Sequence, residues 1–144
     1  MSYADVEIKS NSKYLKIESG QPHDIRLLDE DPTELFEHQT DTGSAKCPGM
    51  DQCAACQDGD YPNQRFGANI YDHNSKKVLV WKYGGGVAKQ LKAIAETLAE
   101  EGRSMMEVDL KVDATGSSQQ KRYTVTPRLT PKPLPEGLGR QKID

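Results

Sequence analysis

The sequence predicts a mainly-β domain: a five-stranded barrel with one helix between strands 3 and 4 and a cysteine-bearing insertion between strands 1 and 2. Three observations predict it. Short runs with period-two alternation recur along the chain, and a single stretch around residue 90 switches to helical spacing. All three cysteines crowd into "CPGMDQCAAC" at 47–56, in a segment poor in apolar residues. With 144 residues the chain has the size of one domain and can bury a core of its own. We divide it into an N-terminal arm (1–12), the barrel (13–126, with the insertion at about 36–62) and a proline-rich, extended C-terminal tail (127–144).

The elements follow in order. "KYLKIE" (13–18) and "HDIRLL" (23–28) read as one long strand bent around Gly20. "RFGANIYD" (65–72) and the run at 77–83 form a hairpin across the short polar turn "HNS". In "GGGVAKQLKAIAETLAEEG" Val87, Leu91, Ile94 and Leu98 recur at helical spacing, with glycines ahead and Gly102 behind. "MEVDLKVDATG" and "KRYTVTPR" supply the last two strands. Three strands, a helix and two strands is the order of the OB-fold, a small Greek-key barrel that binds oligonucleotides across one face. The cysteine cluster falls in one of the two loops that border the ligand in that barrel.

No apolar run approaches the ~20 residues of a membrane span, and "MSYADVEIKS" lacks the features of a signal peptide. The chain is expected to be soluble and intracellular, where three clustered thiols favour metal binding over a structural disulfide. A fourth ligand is available upstream: His38, giving His38-x8-Cys47-x5-Cys53-x2-Cys56. Three thiolates and an imidazole close a tetrahedral zinc site, and Cys53-x2-Cys56 has zinc-knuckle spacing. His73, at a hairpin tip, and His23, at a strand start, are weaker candidates for the fourth position. A redox dithiol needs its first cysteine at a helix start, which the Gly-, Pro- and Asp-rich stretch at 47–62 does not offer. A full Cys3His set leaves no open position for catalysis, so the zinc would be structural, contributing on the order of 10 kcal/mol to folding the insertion.

The formal net charge is −3, so a polyanion ligand would require the cations to gather on one surface. Alternation along the hairpin places Phe66, Ala68 and Ile70 with Val78 and Val80 on the barrel lining. It leaves Arg65, Asn69, Tyr71, Lys77, Trp81 and Tyr83 on the other face. Cations interleaved with aromatic rings are what a single-strand binding surface needs, rings to stack on bases and cations to meet phosphates. Arg26, between inward Ile25 and Leu27, joins them, as do Lys16 and the exposed Arg122, with Tyr123 and Val125 as core. The only tryptophan of a small domain is more often core than platform, and Lys82 on the lining side points to a bulge or register shift. Acidic residues collect elsewhere, in "LLDEDPTELFE" and "ETLAEEG".

The pattern "YLKIESGQPHDIRLL", "FEHQT…KCPGMDQCAAC", "RFGANIYD" and "KKVLVWKYGGGVAKQL" resembles bacteriophage single-stranded DNA-binding proteins of the zinc-containing, helix-destabilising type, over roughly residues 13–126. The resemblance implies an OB-fold, zinc on His38, Cys47, Cys53 and Cys56, and a cleft at Arg65, Tyr71, Lys77, Trp81 and Tyr83. It implies coating of single-stranded DNA during replication, recombination or repair in the host cytoplasm, without catalysis, alongside replication or recombination proteins. The sequence departs from that family in its ending: "GRQKID" is not the strongly acidic tail of many members. RNA fits the same stacking surface unless the 2′-OH is sensed. The alternative is a zinc-ribbon protein-interaction module or transcription accessory factor; no residue cluster suggests an enzyme.

Overall fold

The computed structural model describes residues 13–40, 43–47, 63–116, 121–128 and 130–143. Within them the chain is mainly β with one long helix. The strands are β1 (His23–Leu27), β2 (Thr33–Thr40), β3 (Gly43–Lys46), β4 (Asn63–Asp72), β5 (Lys77–Tyr83), β6 (Asp109–Thr115) and β7 (Arg122–Pro127). Helix α1 (Gly85–Glu100) follows β5, and a 3-10 turn (Met105–Glu107) precedes β6. All strand ladders are antiparallel, in the order β3-β2-β4-β1-β6-β7, with β5 on the other edge of β4.

Three expectations are corrected. Five strands were predicted and seven are present among the described residues; the extra pair, β2 and β3, lies where the sequence suggested only the zinc insertion. β4 makes room for it by its length, since residues 63–67 pair with β2 and 70–72 with β1 along one edge. Between those two ladders the Asn69 amide would be orphaned, and the Asp29 carboxylate accepts from it at 2.8 Å. The predicted long first strand is also shorter: β1 begins at His23, after Gly20 turns the chain with φ 78°. Residues 13–15 instead run parallel to the edge of β5, bridging Tyr14 to Val80.

The third correction concerns the β4–β5 register. A three-residue turn would pair Asp72 with Lys76 and put Val78 and Val80 on the face of Ala68 and Ile70. The turn instead has four residues, His73 to Lys76, with Lys76 in the left-handed region (φ 57°) and its amide donating to the Asp72 carbonyl at 2.7 Å. The Asp72 carboxylate fixes it by accepting from the Asn74 amide (3.1 Å) and the Ser75 hydroxyl (2.8 Å). One extra turn residue slides β5 by one and turns every side chain over. The pairs are therefore Phe66–Tyr83, Ala68–Trp81 and Ile70–Leu79 on one face, and Gly67–Lys82, Asn69–Val80 and Tyr71–Val78 on the other.

The first face is the core. Ile25, Leu27, Ala68, Ile70, Leu110, Val112, Ala114 and Val125 line it from the sheet. Helix α1 closes it with Val87, Leu91 and Leu98 buried and Ile94 partly so, the stripe that helical spacing predicts. No helix among the described residues is long and apolar enough to cross a membrane.

Candidate functional site

The outer face of the sheet gathers several predicted contact residues and then covers them. Arg26 stands beside Tyr71 on β4 and Asp109 on β6. Its Nε donates to Asp109 Oδ1 at 2.7 Å and its Nη2 to the Lys132 carbonyl at 2.7 Å. Asp109, only 1% exposed, also lies 3.0 Å from His73 Nε2 and accepts from the Lys132 amide at 2.7 Å. Burial alone would raise the Asp109 carboxyl, but the Lys132 amide, Arg26 and His73 outweigh it and hold the group below the usual carboxylate range. Tyr71 is buried with its ring edge-on to His73.

The segment after β7, predicted as an extended tail, lies back along this face as a strap. Arg128 and Lys132 pair with Asp24, and Arg140 with Asp29. The Asn69 side chain is bracketed by Gln141, accepting from its amide at 2.7 Å and donating to its carbonyl at 3.1 Å. Ile143 sits over Gly67, where a Cβ would meet its Cγ2 at 2.9 Å. Arg26, Asn69 and Tyr71 thus hold the fold together. Trp81 and Tyr83, predicted outward, are 4% and 6% exposed and belong to the core, the direct result of the shifted register. Burial pushes the Tyr83 phenol up to about 12. Of the other predicted contacts, Lys77 and Arg122 are exposed at the starts of β5 and β7.

A second surface has the composition that was sought. Where residues 14–18 cross between the end of β5 and the start of β7, a groove of about 420 Å³ opens. Its walls carry the cations Lys16, Arg65, Lys82 and Lys121, the aromatics Tyr14, Tyr123, Trp81 and Tyr83, and one carboxylate, Glu18. Lys82 lies 5.0 Å from the Tyr14 ring centre and pairs with Glu37 at 2.8 Å; Lys121 lies 5.6 Å from the Tyr123 ring. Lys16 and Arg65 were foreseen, and so were Trp81 and Tyr83, though on the opposite face; Tyr14, Lys82, Lys121 and Tyr123 were not. Tyr123 had been assigned to the core, yet it is 37% exposed. The signal was present in "KYLK" and "KRY", where lysine and tyrosine sit one or two apart, but nothing local shows that these segments meet.

The zinc ligands fall partly outside the described residues, which include neither Cys53 nor Cys56, and among the described residues no three metal donors come together. The remaining two fit. Strand β3 pairs with β2 so that Glu37 opposes Lys46 and His38 opposes Ala45, and the Cys47 amide continues the ladder to the Phe36 carbonyl at 2.8 Å. Register therefore puts Cys47 on the face of β2 that carries His38, as two ligands of one metal require. The competing histidines are engaged elsewhere, His23 with Asp72 at 3.1 Å and His73 with Asp109 at 3.0 Å. Bound there with Cys53 and Cys56, zinc would supply a crosslink and no reactive position.

No family model matches the chain, and no curated protein is significantly similar to it.

Proposed function

We propose that this protein binds single-stranded DNA with little sequence preference, using the groove beside β5, and performs no catalysis. The observation that carries this reading is the groove's composition: four cations, of which only Lys82 is ion-paired among the described residues, with the exposed Tyr123 ring and the half-buried Tyr14 ring, against a single lining carboxylate, on a chain of net charge −3. The topology supports it. With the β2–β3 hairpin set aside as an insertion, β1, β4, β5, α1, β6 and β7 follow the strand order of an OB-fold, with β1 paired to β4 and β6 as in that barrel. Lys121 then lies on the loop between the last two strands and the cysteines on the loop after the first, the two loops that flank the ligand in OB-folds. Structural zinc on His38, Cys47, Cys53 and Cys56 would brace the latter. A role in coating DNA during replication, recombination or repair follows from binding of this kind.

The test is fluorescence titration with oligo-dT at low salt, with oligo-rU and duplex as competitors. Association that weakens steeply with salt, quenches the intrinsic tyrosine emission and outcompetes duplex is the expected outcome. Absence of association at low salt rejects the reading. Repeating the titration after chelation, with released zinc measured, tests whether the metal supports the site. One observation favours the second reading, a protein-interaction module: Phe36, on the hairpin that carries His38, is 45% exposed. DNA indifference combined with capture of a polymerase subunit that Phe36→Ser abolishes would support it.

A further inference from the structure

The groove does not end at β5. Arg65 and Gly84 line it, and the same two residues line a second cavity of about 470 Å³, whose other walls are Glu37, His38, Asn63, Gln64 and Gly85. The two cavities therefore meet at Arg65 and the amino end of α1, and together they lead from Tyr123 to the β2–β3 hairpin.

That junction lacks something. Arg65 Nε is buried with no hydrogen-bond partner, and none of the ion pairs among the described residues includes Arg65. Every arginine on the strap side, by contrast, meets a carboxylate or a carbonyl. The guanidinium sits close against bare backbone: its Nη1 is 3.4 Å from the point a Cβ on Gly84 would occupy. Beyond it α1 starts on Gly84, with no side-chain cap and no acidic residue in its first turn. The first amides of a helix have no intrahelical acceptor and carry the positive end of its dipole. Cβ positions at Gly85 and Gly86 face open space, so a ligand can approach these amides. A buried donor without an acceptor is costly unless something outside the chain supplies one.

We propose that Arg65 and the amino end of α1 form a phosphate subsite that holds one backbone phosphate of the single strand where its path turns from the groove toward the hairpin. This rests on the single-strand reading above and gives it a fixed point. A phosphate group has acceptors enough to take the guanidinium on one side and the Gly85 and Gly86 amides on another.

Two variants separate the donors. Arg65→Gln removes the charge. Gly85→Pro removes one amide and leaves the helix intact, because proline is favoured at the first helical position and Gly84 is already extended (φ −99°, ψ −168°). Lys89→Gln, exposed on α1, is the control. In oligo-dT titrations over a salt series, Arg65→Gln is expected to lose on the order of tenfold in affinity and about 0.7 from the log–log salt slope. Gly85→Pro is expected to lose severalfold with the slope unchanged, since the amide is neutral. The double variant should lose less than the product of the two, because both donors serve one phosphate. An unchanged slope for Arg65→Gln, no loss for Gly85→Pro, or losses that simply multiply overturns the subsite while leaving the groove. A wild-type protein that does not bind overturns the single-strand reading and the subsite with it.

Discussion

The outer face of the sheet and the groove beside β5 carry the same kinds of residue and use them in opposite ways. On the outer face Arg26 meets Asp109, Arg128 and Lys132 meet Asp24, and Arg140 meets Asp29, so these four cations are held by carboxylates of the same chain. In the groove, Lys16, Arg65 and Lys121 have no such partner among the described residues, and only Lys82 is paired. A neutralised cation stabilises; one left without a counter-charge is available to an external anion. The difference lies in the neighbours, and those are supplied from 83 to 111 residues away along the chain.

Breaking the covered surface should give the largest effect. Asp109→Asn leaves Arg26 and His73 facing a neutral group in a buried place, and removing one partner of a buried pair costs about 3–5 kcal/mol. Urea denaturation is expected to show that loss, with oligo-dT affinity of the folded fraction unaltered. Acidification should act on the same surface. Asp24, Asp29 and Asp109 are each desolvated by burial, but hydrogen bonds and the facing cations prevail and lower all three carboxyls. Groups lowered on folding contribute stability that is complete above their unfolded value, about 4, and is lost as pH falls through the folded one. Unfolding free energy should therefore be flat from pH 7 to about 5 and fall below 4, and Asp109→Asn should fall less steeply. Equal pH dependence in both proteins would show that the Asp109 cluster is not what acid removes.

The next contrast is between two tyrosines. Tyr71→Ala empties a buried position on the outer face and should cost about 3–5 kcal/mol of stability with little direct effect on binding. Tyr123→Ala removes an exposed ring and should leave stability within about 0.5 kcal/mol while weakening oligo-dT binding by about 1–3 kcal/mol. A reversal of that pattern would make the outer face the ligand surface. A smaller step is Lys121→Gln, expected to lower the salt slope by about 0.7 with no change in the urea midpoint. The corresponding change at Lys132, on the strap, should leave the slope alone.

The sequence shows which parts of this contrast depend on near neighbours. The helix stripe Val87, Leu91, Ile94 and Leu98 is legible because its period is local, and so is the inward alternation of Ile25 and Leu27. That His38 and Cys47 come onto one face of a hairpin follows from the β2–β3 register and was not read from their spacing. The orientation of Trp81 was not legible: it depends on whether Lys76 belongs to the turn or the strand, a choice of one residue that the Asp72 carboxylate settles in three dimensions. Lys82, odd on a predicted lining, was the trace of that error. Strand β2 was hidden because "TELFEHQT" has polar residues on both faces, as an inserted hairpin at a sheet edge can. The strap was missed for another reason. Prolines from 127 to 135 do predict an extended chain, but extension says nothing about docking, which depends on Asp24, Asp29, Asn69 and Gly67 lying in a row across the sheet.

The smallest effect is the most specific test of that row. At Gly67 the strap crosses the sheet over bare backbone, with Leu35 and Val80 beside the glycine. Gly67→Ala puts a methyl group 2.9 Å from Ile143 Cγ2, yet the atom it meets is at the end of a side chain and not backbone. The cost should be below about 1 kcal/mol, partly offset by the strand's preference for alanine over glycine. Hydrogen exchange is the sensitive readout. The Gln141 amide, bonded to Asn69 Oδ1, should exchange faster in Gly67→Ala, while the Ile70 and Leu110 amides of the core keep their protection. Were the Gln141 amide equally protected in both proteins, the strap would be held by its ion pairs alone. Loss of core protection instead would show that strap and sheet open as a single unit.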